Sequence, residues 1–110
     1  MLVVNVSIVE FVEEHQPNFV KARLTDASGI DWFFVGKCPI FTVDSLDENS
    51  PYPLPGVIAC QAIKREHDTQ SRKVVTIDTE EPDHVEDTSG NTRFIVFAHQ
   101  LSGADTFSEH

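Results

Sequence analysis

The sequence predicts an all-β domain, a small closed or partly open β-barrel of about six mostly antiparallel strands. Three observations lead there. Apolar residues gather in short runs rich in valine and isoleucine, whose branched side chains suit a pleated surface. Glycine, proline and acidic segments separate these runs and read as turns and loops. No segment keeps a helical spacing of apolar residues long enough for an amphipathic helix, and the best candidate is one short turn within residues 43–49. A sheet with no helices to cover it must bury its own faces, and curling also hides its edges.

The first run, residues 2–12 (LVVNVSIVEFV), is the first strand. Its alternation slips: Val4, Val6 and Ile8 share one parity, whereas Val9 and Phe11 share the other. A bulge near Ile8 would turn both sets inward. After the polar loop EEHQPN, the run FVKARLTD puts Val20, Ala22 and Leu24 on one face and Lys21 and Arg23 on the other. DASG at residues 26–29 is a hairpin turn, with Gly29 free to take positive φ. Residues 30–35 are the third strand, with Ile30, Trp32 and Phe34 as one set and Trp32 as a core anchor.

Pro39 has no N–H for a ladder, so GKCPIF is an edge or a turn. Cys38, just before it, is expected nearer the surface than Cys60, which lies in an apolar run. Residues 41–43 are expected to be a short strand and residues 44–55, DSLDENSPYPLP, a long irregular loop. Tyr52 in that loop is either a recognition aromatic or a cover for one end of the core. The fourth strand is expected from Gly56 to about Lys64 and the fifth from Arg72 to Asp78, with Val75 and Ile77 inward. The last, residues 92–101 (TRFIVFAHQL), carries apolar residues of both parities. Residues 1–101 then form the barrel-like domain and residues 102–110 a flexible C-terminal tail.

The chain has 18 acidic and 8 basic residues, a formal net charge of -10. That balance opposes nucleic-acid phosphates and anionic membranes and favours cationic partners. No apolar run approaches a membrane span, and the N-terminus lacks the basic start and small-residue cleavage site of a signal peptide. The two cysteines form no C-x-x-C motif, and a cytoplasmic protein with reduced thiols is the expectation.

The segment TIDTEEPDHVED, residues 76–87, concentrates the charge: six of its twelve residues are acidic and none is basic. An EF-hand loop fails, because Pro82 and Asp83 stand where the ligand and the turn glycine belong. Zinc would want clustered His or Cys, and only His84 is local. No serine sits in a nucleophile elbow, and the glycines are isolated rather than forming a phosphate cradle. The expected function is a noncatalytic protein-binding or structural module with no cofactor or metal. It would meet a basic protein through Asp78, Glu80, Glu81, Asp83, Glu86 and Asp87, with Tyr52 as a further contact. Residues 10–14 and 44–48 add acidic stretches. An inhibitor that masks a cationic nuclease works this way, and acidity that serves only solubility would look the same. A homodimer through an exposed strand edge is a further expectation. The alternative is a small metal-binding protein or enzyme centred on residues 78–87 and His84.

The piece PGVIAC followed by DTSGNTRFIVFAHQL resembles the second half of a small translation-factor-type β-barrel, in which a glycine turn leads into a final strand. The resemblance implies an add-on binding domain and nothing catalytic, and it assigns no role to any residue.

Overall fold

The computed structural model describes residues 1–103. It is all-β among them. The strands are β1 (Leu2–Glu13), β2 (Phe19–Thr25), β3 (Asp31–Lys37), β4 (Leu54–His67), β5 (Lys73–Asp78), β6 (Arg93–Phe97) and β7 (Leu101–Gly103). Two 3-10 turns, η1 (Cys38–Ile40) and η2 (Ala98–Gln100), interrupt them. The sheet runs β3-β2-β1-β4-β5-β6, every neighbour antiparallel, and β7 pairs with the N-terminal end of β1.

This sheet curls into a half-barrel. Its two end strands, β3 and β6, meet across the core, where Phe94 stands edge-on to Trp32 at 5.4 Å and to Phe34 at 5.5 Å. Three hydrogen bonds cross the same seam. The Ala27 N–H donates to the Ile95 carbonyl, the Thr88 N–H to the Phe33 carbonyl, and the Gln100 side-chain amide to the Thr25 carbonyl. The inward residues follow the alternation in the sequence: Val4, Val6 and Ile8 from β1, Val20, Ala22 and Leu24 from β2, Val75 and Ile77 from β5. The bulge is there, since against β2, β1 pairs Ile8 with Ala22 and then Glu10 with Lys21, skipping Val9, but it does not turn both sets inward: Val9 and Phe11 stay half-buried outside the core. That extra residue bends β1, as a curled sheet requires. Gly29 takes φ +82° in the β2–β3 turn, and the Trp32 indole N–H donates to Asp26 Oδ2 at 2.9 Å beneath that turn.

Five expectations are corrected. Residues 41–43 form no strand. Phe41 is buried with its carbonyl accepting from the Val57 N–H, and Val43 is fully exposed. The irregular loop stops before Pro55, which lies inside β4 opposite Ser7. The Val57 N–H points away from β1 to Phe41, and Pro55, two residues earlier, turns its nitrogen the same way. Its missing N–H therefore costs no bond of the β1–β4 ladder. Cys38 is buried, with its Sγ donating to the Asp44 carbonyl at 3.2 Å. The final run is not one strand: β6 ends at Phe97, η2 turns the corner, and β7 returns to β1. Apolar residues of both parities mark this corner rather than a doubly buried strand. Ser102 and Gly103, assigned by sequence to a tail, belong to β7, and residues 104–110 lie outside the described residues.

Candidate functional site

The β5–β6 connection is built around two inward anchors. Thr79 continues the buried parity of Val75 and Ile77, and its side chain is fully buried. Its hydroxyl donates to the Val85 carbonyl at 2.5 Å, its own N–H donates to the Thr92 carbonyl, and the Val85 N–H donates back to the Thr79 carbonyl. Val85 is buried as well. These bonds close a loop over residues 79–85, and its outer arc carries Glu80, Glu81, Asp83 and His84, all exposed. His84 sits at φ +50°, a region few side chains occupy, and its N–H donates to the Glu80 carbonyl. Glu86 follows, exposed, with a carboxylate oxygen 3.9 Å from the His84 Nε2.

The six acids of this segment divide by environment. Asp78 is engaged twice: one oxygen accepts from the Glu80 N–H and the other from the Arg93 guanidinium at 3.1 Å. Asp87 is 5% exposed and organises the next turn, accepting from the Ser89 and Asn91 amides and the Asn91 side chain. Glu80, Glu81, Asp83 and Glu86 face solvent from a backbone pinned at both ends. The following residue, Thr88, ties the turn to β3 through the Phe33 carbonyl.

Tyr52 belongs to a different surface, the loop between η1 and β4. Its ring packs against the core and its hydroxyl donates to the Asp47 carbonyl at 2.7 Å. Burial pushes that hydroxyl above the ordinary tyrosine range, with the nearby Asp47 charge acting in the same direction. Its ring thus packs over one end of the core, as the covering role requires.

Sequence reasoning missed a cleft of about 1130 Å³ between the β1–β2 loop and residues 38–46. Glu14 and Asp44 line it, so the other two acidic stretches reach one hollow. Asn18 clasps the two walls: its side chain accepts from the His15 N–H and donates to the Leu46 carbonyl, while its own carbonyl accepts from the Cys38 N–H. An asparagine at the mouth of a strand was the available signal, but its partners are remote in sequence.

The basic residues do not assemble into one patch. On β2, Lys21 pairs with Glu10 at 3.6 Å and lies over the Phe33 ring. Arg72 and Lys73 stand at the start of β5, with β1 and β4 between them and β2. Among the described residues, no group of three or more His, Cys, Asp or Glu side chains is placed to hold a metal ion, and no helix is long and apolar enough to cross a membrane. No family model matches the chain, and comparison with curated proteins and with solved structures finds no match. The likeness to translation-factor barrels therefore remains one of pattern.

Proposed function

We propose that this chain is a noncatalytic binding module of the cytoplasm that docks a basic protein through the β5–β6 connection. One observation carries the reading. Glu80, Glu81, Asp83 and Glu86 project from a backbone fixed by Thr79 and Val85, while among the described residues the one lysine or arginine paired with the segment is Arg93 on Asp78. Four carboxylates that meet no lysine or arginine among the described residues attract such side chains over a distance and fix the register on contact. The fixed backbone spares the complex the ordering of a loop. Asp87 supports the surface from beneath by building the turn at its end.

The test is capture from the source cells at low and moderate salt, with wild-type bait beside bait carrying Glu80→Lys, Glu81→Lys and Asp83→Lys. The wild type should retain a basic protein that is released as salt rises and is lost with the reversed charges. Equal retention by both baits places docking elsewhere. Melting with and without divalent cations should give the same midpoint, because a specific ion would raise it.

A further inference from the structure

At the opposite end of β5 the polarity reverses. A hollow of about 520 Å³, within the range of small-ligand sites, is lined by Arg72, Lys73, Phe97, Ala98 and His99, with no carboxylate among them. In a chain of formal net charge -10, such a lining stands apart. The hollow is also organised. The Arg72 Nε donates to Asp68 Oδ2 at 2.7 Å, and the guanidinium lies 4.9 Å over the Phe97 ring. Asp68 is itself held by the Arg72 and Gln70 amides, which keep its carboxyl below the usual carboxylate range. The arginine is thus set before any ligand arrives, and its two Nη groups stay outside the Asp68 bond. That edge suits a phosphate.

Lys73 lines the same hollow and, among the described residues, makes no ion pair. His99 lies parallel to Phe97, 15° between planes and 5.3 Å between centres, and is exposed. A smaller cavity adjoins through Lys73 and Ala98, with His67 on its wall; the one carboxylate lining it among the described residues, Glu66, is paired with Lys64 at 3.5 Å. Lys73 and Asp78 stand at the two ends of β5, five residues and so about 17 Å apart. That is about two Debye lengths at physiological ionic strength, so the acidic connection does not cancel the basic end.

We propose that this hollow binds a nucleotide, its phosphates on Arg72 and Lys73 and its base laid on the exposed face of the His99 ring. Two cations, Arg72 held by Asp68 and Lys73 beside it, next to a stacked ring pair match a ligand that is anionic at one end and flat at the other.

The experiment is an amide NMR titration of the full chain with ATP, tripolyphosphate and adenosine, repeated on Lys73→Glu and His99→Ala, both at exposed positions. ATP should saturably shift the amides of residues 72, 73, 98 and 99. Lys73→Glu should weaken ATP by about tenfold or more with the remaining spectrum intact. His99→Ala should weaken ATP and leave tripolyphosphate unchanged. Absence of saturation by ATP at millimolar concentration, or wild-type affinity in Lys73→Glu, overturns the site. Tripolyphosphate binding as tightly as ATP, with His99→Ala neutral, overturns the nucleotide.

Discussion

Thr79 illustrates what a single residue does here. Its buried hydroxyl meets the Val85 carbonyl at 2.5 Å, with the Thr92 carbonyl a longer second acceptor at 3.2 Å, and the shorter bond keeps the acidic arc outside. Thr79→Val keeps the shape and removes the donor, leaving a buried carbonyl unmet, which costs about 1–3 kcal/mol. Urea unfolding should show the loss as a lower midpoint at unchanged slope, and a midpoint equal to wild type would remove Thr79 from the account. The alternation of Val75 and Ile77 already pointed to Thr79. Asp87 was harder to read, because an acid in a sequence does not show which way it faces. Only its place at the head of DTSGN, residues 87–91, a run of turn-forming residues, hinted that it serves the backbone. Asp68 makes a second case for acids spent on turns, and its depressed pKa has a sign. A carboxyl lowered on folding contributes stability above its unfolded pKa, and that contribution is lost as pH falls through the folded value. Its carboxyl carbon should titrate below the ordinary aspartate range, and Asp68→Asn should remove this part of the acid sensitivity. Titration of Asp68 within the ordinary aspartate range would contradict the turn geometry.

Among the elements, β1 and β4 form the centre of the sheet, and their contact depends on Gly56. A Cβ there would meet Ile8 side-chain carbons at 2.8 and 2.9 Å and the Phe41 carbonyl at 3.1 Å. Gly56→Ala should therefore destabilise the domain by about 1–3 kcal/mol through overpacking. A melting temperature unchanged by the substitution would mean that Ile8 moves aside freely. The strand positions and the β1 bulge were legible because burial on one face imposes a period of two on the sequence. The true start of β4 was not, since a proline reads as a breaker unless the free edge of its strand is known. The η2 corner was hidden for a similar reason. Gln100 holds it by accepting from the Phe97 N–H at 2.8 Å and donating to the Thr25 carbonyl at 2.8 Å, partners separated by most of the chain. Gln100→Ala should speed hydrogen exchange at Phe97 well before global unfolding. Protection equal to wild type at that amide would show that η2 holds without the glutamine.

The whole molecule is polarised. Exposed carboxylates crowd the connection after β5, and a cationic hollow lies before it. Overall, like charges dominate, so added salt should raise the melting temperature as repulsion is screened. A fall with salt would mean that the attractive pairs outweigh the repulsion. The all-β architecture was legible from run lengths and turn residues alone. The separation of charge was not, because Arg72 and Phe97 meet only once β5 and β6 pair. The most direct measurement for the central claim is an amide NMR titration with a short lysine- and arginine-rich peptide. It would be run on the wild type and on a chain carrying Glu80→Gln, Glu81→Gln, Asp83→Asn and Glu86→Gln. Shifts should concentrate in residues 79–87 and vanish in the neutralised chain. Shifts centred instead on the Glu14–Asp44 cleft, or undiminished by the four substitutions, would contradict a docking surface on the β5–β6 connection.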